Sequence, residues 1–153
     1  MSKVLKAKSK DIFAIMDHLF DNGSTAWIVV SGMSMYPFLR EDLDMVELAR
    51  ADFSSIKKGD IVLIKRINGE FVLHRVIKMN SSDFFIMGDA QQWIEGPVSE
   101  NQLKAVAVNI ARNNKVISCN NFVLKTLVHL WILIIPIRYR LIQVFHFFSR
   151  LTR

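Results

Sequence analysis

Residues 61–77 read IVLIKRINGEFVLHRVI. Two apolar runs, 61–67 and 71–77, flank Asn68-Gly69, a dipeptide that tolerates positive φ and so favours a tight hairpin. A two-residue turn there pairs His74 with Leu63, away from the solvated tip. Moving outward, residues 26–30 (AWIVV) form a buried-strand run and 44–48 a second strand. Lys57-Lys58-Gly59-Asp60 makes a turn, as does 81–83. Residues 84–87 form a strand that ends at Gly88-Asp89, and 104–111 and 116–118 close the pattern. Short strands at short intervals predict a mainly β domain over 24–119, an antiparallel barrel or sandwich.

The flanks are helical. Within 11–20 (DIFAIMDHLF), Ile12, Phe13, Ile15, Met16, Leu19 and Phe20 recur at helical spacing, with Asp11, Asp17 and Asp21 between them. Residues 1–23 thus read as a short amphipathic helix ended by Asn22-Gly23. The stretch is too short and too charged for a secretory signal. Residues 126–137 carry no charge, but twelve residues fall short of the ~20 a spanning helix needs. Lys125, His129, Pro136, Arg140, Gln143 and Arg150 make a narrow polar stripe on an otherwise apolar segment. Residues 120–153 therefore read as an amphipathic helix lying in a membrane interface, with packing on the domain as the alternative.

A chain of 153 residues, 51% hydrophobic and 22% charged, supports one domain with a core and excludes a disordered one. Lys3, Lys6, Lys8 and Lys10 stand at one end without an acid. Lys125, Arg138, Arg140, Arg150 and Arg153 stand at the other. Between them, 11 basic residues face 14 acidic ones. A nucleic-acid reader would gather its basic residues on the folded domain, whereas basic ends beside apolar stretches suit anionic lipid. The lone Cys119 cannot form an internal disulfide and reads as a buried small hydrophobe.

A serine hydrolase needs a hydroxyl at a sharp turn and a base to take its proton. Ser34 follows a buried strand, with Gly32 to turn the backbone and Pro37 to stop the strand; by itself this also describes an ordinary loop serine. Neighbouring backbone N–H groups can face an oxyanion. Among the histidines, His18 reads as surface and His129 and His146 as residues of the apolar tail. His74, mid-strand, is either a satisfied structural histidine or a base. Asp89, Glu95 and Asp60 are the carboxylates available to orient it, or solvated turn residues.

Four stretches in order carry a resemblance: Gly32-Met33-Ser34-Met35-Tyr36-Pro37-Phe38-Leu39, Lys58-Gly59-Asp60-Ile61-Val62, Leu73-His74-Arg75-Val76 and Met87-Gly88-Asp89. Over about residues 28–110 they resemble the conserved boxes of signal peptidase I. The resemblance implies Ser34 as nucleophile and His74 as base. It points to the Ser–His branch found in endoplasmic-reticulum, archaeal and sporulating-bacterial enzymes, rather than the Ser–Lys branch. It implies Asp89 first, and Glu95 second, as the orienting carboxylate. Gly32, Ser31 and Met35 would lie at the oxyanion and substrate positions. Three departures stand out: Phe38 replaces the usual threonine, Gly32 replaces an oxyanion-hole serine, and Ala90 follows Asp89 where asparagine is usual.

The expected activity is cofactor-free endoproteolysis of signal or leader peptides at a membrane surface, through an acyl-enzyme. The side of the membrane is open. The alternatives are a membrane-bound peptide-binding module without catalysis and a self-cleaving peptidase of the LexA type. The latter uses a lysine base and carries a DNA-binding segment, and neither is apparent here.

Overall fold

The run Ile61-Val62-Leu63-Ile64 is apolar without alternation because both of its faces are covered. A computed structural model describes residues 3–5 and 9–137. In it, strand β4 (Ile61–Lys65) sends Ile61 and Leu63 into one hydrophobic cluster and Val62 and Ile64 into another. Successive side chains point to opposite faces of a strand, so a doubly buried strand reads as a continuous apolar run.

The elements run β1 (Lys3–Leu5), α1 (Ser9–Asp21), β2 (Ala26–Val29), β3 (Met45–Arg50), β4, β5 (Phe71–Met79), β6 (Asp83–Met87), β7 (Glu95–Ser99), β8 (Leu103–Arg112), β9 (Lys115–Ser118) and α2 (Phe122–Leu133). The sheet order is β1-β2-β3-β8-β4-β5-β6-β7, with β9 paired to β8. Every pairing is antiparallel except β1 with β2. The mainly β, antiparallel class expected from sequence is therefore present. A closed barrel is not: β1 and β7 end the strand path, and the sheet is not closed. Register shifts at Glu47/Leu48, Leu63/Ile64, Val76/Lys78 and Phe84/Ile86 mark irregularities of the kind that bend strands. The periodicity missed β1 and β7, three and five residues long; Gly96 and Pro97 break the apolar pattern of β7.

The hairpin corrects the expected register. Lys65 pairs with Phe71, Arg66 N–H donates to the Glu70 carbonyl at 2.7 Å, and Gly69 N–H donates to the Arg66 carbonyl at 2.8 Å. The loop is thus three residues, Ile67-Asn68-Gly69, with Gly69 left-handed at φ +85°. This is the three-residue hairpin form with glycine in the αL position. His74 consequently pairs with Val62, not Leu63. A one-residue change of register exchanges the faces that two strands share, so His74 lies on the side of Val62, Val72 and Val76.

The first cluster holds Met16 and Phe20 of α1, Val46 and Leu48 of β3, Ala105, Ala107 and Ile110 of β8, and Met35 and Leu39 from the β2–β3 connection. The second gathers Val62, Ile64, Val76, Phe84, Ile86 and Val98. Each fully buried aliphatic or aromatic side chain contributes roughly 1.5–3 kcal/mol. α1 ends as expected at Asn22-Gly23, with Gly23 left-handed at φ +68°. α2 starts at Asn121, whose side chain accepts from Leu124 N–H at 3.1 Å. Among the described residues, no helix is long and apolar enough to cross a membrane. The expected continuation of the C-terminal helix through Arg138, Arg140, Gln143, His146, Arg150 and Arg153 lies outside the described residues.

Candidate active site

Ser34 sits in a turn whose neighbours are pinned. Val30 N–H donates to the Asp44 carbonyl at 3.0 Å, and Gly32, left-handed at φ +81°, donates its N–H to Glu41 Oε1 at 2.8 Å. Met35 and Leu39, four residues apart, are buried and anchor the turn in the first cluster. Ser34 is half-buried, between exposed Met33 and Tyr36, and Ser31 is exposed. The Gly32 N–H expected at the oxyanion is occupied by Glu41. Among the described residues, the N–H groups of Ser34 and Met35 donate to no protein acceptor. A turn that leaves such donors unpaired can face them to an oxyanion.

The serine turn is fastened to the turn after β6. Ala90 N–H donates to the Ser34 carbonyl at 2.8 Å. A Cβ on Gly88 would stand 2.6 Å from that same carbonyl, so only glycine permits the approach. Gly88 stands just past the end of β6, in a turn where Gln91 N–H donates to its carbonyl at 2.9 Å. It also lies one residue beyond Met87, which pairs with Arg75. The Ser34 carbonyl is thus fastened close in sequence to Met87, the β6 partner of Arg75, which neighbours His74 in β5.

His74 is 3% exposed, and its Nδ1 has no hydrogen-bond partner among the described residues. Glu95 Oε2 lies 3.9 Å from that nitrogen, beyond hydrogen-bond reach. Arg66 holds the Glu95 carboxylate through Nε at 2.7 Å and through Nη2, and also reaches Glu70 at 2.7 Å. Burial pushes the His74 pKa below its usual 6.5; Glu95 opposes the shift and Arg66 adds to it. The Arg66 hydrogen bond draws the Glu95 pKa below the usual carboxylate range, so Glu95 is an anion at neutral pH.

Asp89, the first choice for orienting His74, is engaged elsewhere. Its two oxygens accept from Arg75 Nε at 2.7 Å and Nη2 at 2.6 Å, and both side chains are buried. Arg75 Nη1 also donates to the Gly59 carbonyl at 2.7 Å. The reason is strand parity: Arg75 and Met87 face away from His74, and Asp89 has the parity of Met87. Of the two carboxylates, Glu95 is the one set against His74, at 3.9 Å. Asp60 accepts from the Lys57 backbone N–H at 2.8 Å, as a turn residue does. His18 and His129 are exposed. Cys119 is half-buried, and burial raises its pKa to about 11, which keeps it an unreactive thiol.

Sequence reasoning singled out neither Arg66 nor Glu41. Arg66 was findable: it shares the parity of Val62 and Ile64, so a correct hairpin register puts it on the His74 face.

Residues 2–110 match the model of the Peptidase S24-like family, over two thirds of the chain. The chain belongs to the Peptidase S24-like family. No curated protein sequence matches it. Peptidase S24-like membership brings the coarse expectation of a serine peptidase of the LexA and signal peptidase I superfamily, and the antiparallel β fold agrees with it. α2 lies outside the residues matched to the Peptidase S24-like model.

Proposed function

We propose that this chain is a serine endopeptidase of the signal peptidase type, with Ser34 as nucleophile, His74 as general base and Glu95 as the carboxylate that orients the base. The observation that carries this reading is the buried His74, its Nδ1 without a hydrogen-bond partner among the described residues and 3.9 Å from Glu95 Oε2. A buried histidine with a lowered pKa is neutral at pH 7 and can accept the serine proton. Ser34 Oγ bonds to the peptide carbonyl carbon, and His74 passes the serine proton to the amine nitrogen as the C–N bond breaks and the amine leaves. Water then hydrolyses the acyl-enzyme. Catalytic hydrogen bonds often tighten only with substrate bound, which accommodates the 3.9 Å separation.

The substrate class is signal or leader peptides presented at a lipid surface. α2 supports this: Phe122, Val123, Leu127, Leu130 and Leu133 are exposed, with Lys125 and His129 exposed along one edge. Apolar and basic residues side by side suit anionic headgroups over acyl chains. Incubation with a leader peptide, with and without phosphatidylglycerol vesicles, tests the reading. Ser34→Ala and His74→Ala should each abolish cleavage while the circular dichroism spectrum holds. Near wild-type activity in either variant rejects the assignment.

The match to the Peptidase S24-like family favours a second reading, cleavage of its own chain. First-order self-cleavage, independent of protein concentration and lost in Ser34→Ala, would select it.

A further inference from the structure

α2 is outside the residues matched to the family, yet it touches Phe38 in the serine stretch and the Asp89 carbonyl next to Ala90. The Trp131 indole N–H donates to the Asp89 carbonyl at 3.2 Å. The next residue, Ala90, donates its N–H to the Ser34 carbonyl. On its other side, the Trp131 ring meets Phe38 edge to face, with centroids 5.8 Å apart. Phe38 closes the stretch that carries Ser34, and the Arg75 guanidinium lies 4.9 Å over its ring while binding Asp89. These contacts form a closed circuit: serine turn, Phe38, Trp131, Asp89-Ala90, and back to the Ser34 carbonyl. Deeper in the helix, Val128 lies 3.5 Å from where a Cβ on Gly59 would stand, and the Gly59 carbonyl accepts from Arg75.

We propose that Trp131 is a positioning residue, through which α2 fixes the Asp89-Ala90 turn and with it the backbone of Ser34. The inference rests on Ser34 being the nucleophile. Val30, Gly32, Met35 and Leu39 pin the neighbours of Ser34, and the Ser34 carbonyl itself is tied by the N–H of the Asp89-Ala90 peptide. Trp131 clamps the acceptor side of that peptide and braces Phe38 at the same time, so the reacting geometry is held before substrate arrives.

The test is Trp131→Phe in the full chain, which keeps a ring against Phe38 and removes the N–H donor. Two measurements are made. The first is amide hydrogen exchange at Ala90, which needs no catalysis. The second is cleavage of a leader peptide, with kcat and KM determined separately. Loss of one hydrogen bond should raise Ala90 exchange about five- to tenfold and lower kcat by about the same factor, with KM and the thermal midpoint nearly unchanged. Unchanged Ala90 exchange overturns the proposal whether or not the protein is a peptidase. Raised exchange with unchanged kcat in an active enzyme overturns it as well. Raised exchange with no peptidase activity even in the wild type supports the clamp and removes the catalytic reading instead. Trp131→Leu, which loses both contacts, should show a larger kcat effect; an equal effect assigns the clamp to the hydrogen bond alone.

Discussion

His74 Nδ1 and Glu95 Oε2 stand 3.9 Å apart on one face of the sheet, and the same Glu95 oxygen is held by Arg66. The carboxylate is therefore shared between a permanent cation and a histidine that is charged only when protonated. Arg66 keeps Glu95 ionised and also prevents it from raising the histidine pKa as far as a free carboxylate would.

That arrangement sets the pH profile. Burial is the main cause of the lowered His74 pKa, so the acidic limb of kcat/KM should fall below pH 6.5. Glu95→Gln removes an opposing anion and leaves Arg66 beside the ring, so the limb should move further down while the rate falls. A pH–rate series on both proteins checks this; an unmoved limb would show that Glu95 does not sense the His74 charge. The same shift bears on stability. A histidine whose folded pKa is depressed binds protons more readily unfolded, so its contribution is present above pH 6.5 and lost as pH falls toward the folded value.

Gly88→Ala should act on the nucleophile. The added Cβ would lie 2.6 Å from the Ser34 carbonyl and 2.8 Å from Gln91 Oε1, and the first of these is backbone. The serine turn must shift. We expect destabilisation of about 1–3 kcal/mol and loss of Ser34 labelling by a serine-reactive probe. Denaturant titration and mass spectrometry measure the two effects.

Asp89→Asn should be a stability variant first. It leaves the buried Arg75 guanidinium without its counter-charge, a change that costs about 3–5 kcal/mol in a buried pair. Arg75→Met with Asp89→Leu removes both charges and should recover part of the loss. Chemical denaturation of the single and double variants measures the recovery. A loss in the double variant equal to the sum of the losses in Arg75→Met and Asp89→Leu alone would show that the pair is not coupled.

Asp44 reports on acid stability. Burial raises its pKa, but hydrogen bonds from Arg112 and Arg40 outweigh this and lower it from 3.8 to about 2. The depressed pKa contributes stability above pH 3.8, on the order of 2 kcal/mol, which is lost as pH falls toward 2. Asp44→Asn should reduce stability at neutral pH and flatten its dependence between those values. Thermal midpoints across that range test it.

Local signals were sufficient for much of this molecule. The apolar runs marked β4 and β5, Gly23 ended α1, and Asn68-Gly69 marked a hairpin, because each depends on side-chain periodicity or on a backbone angle glycine adopts freely. The strands β1 and β7 escaped, being short, with Gly96 and Pro97 interrupting the second. Ser34 and His74 were singled out from four ordered stretches of sequence, without any view of how the chain joins them.

The sequence by itself determined the mainly β class, the two candidate side chains and the pool of carboxylates near them. Tertiary structure alone decided how these are shared. One extra residue in the hairpin loop moved His74 from the Leu63 partner to Val62, and strand parity then put Glu95 on its face and Asp89 on that of Arg75. Residues six apart in sequence were thereby sent to opposite sides of one sheet. Spacing cannot distinguish them, because the face each meets depends on register between strands, and register is set by the loop and by packing across the whole sheet.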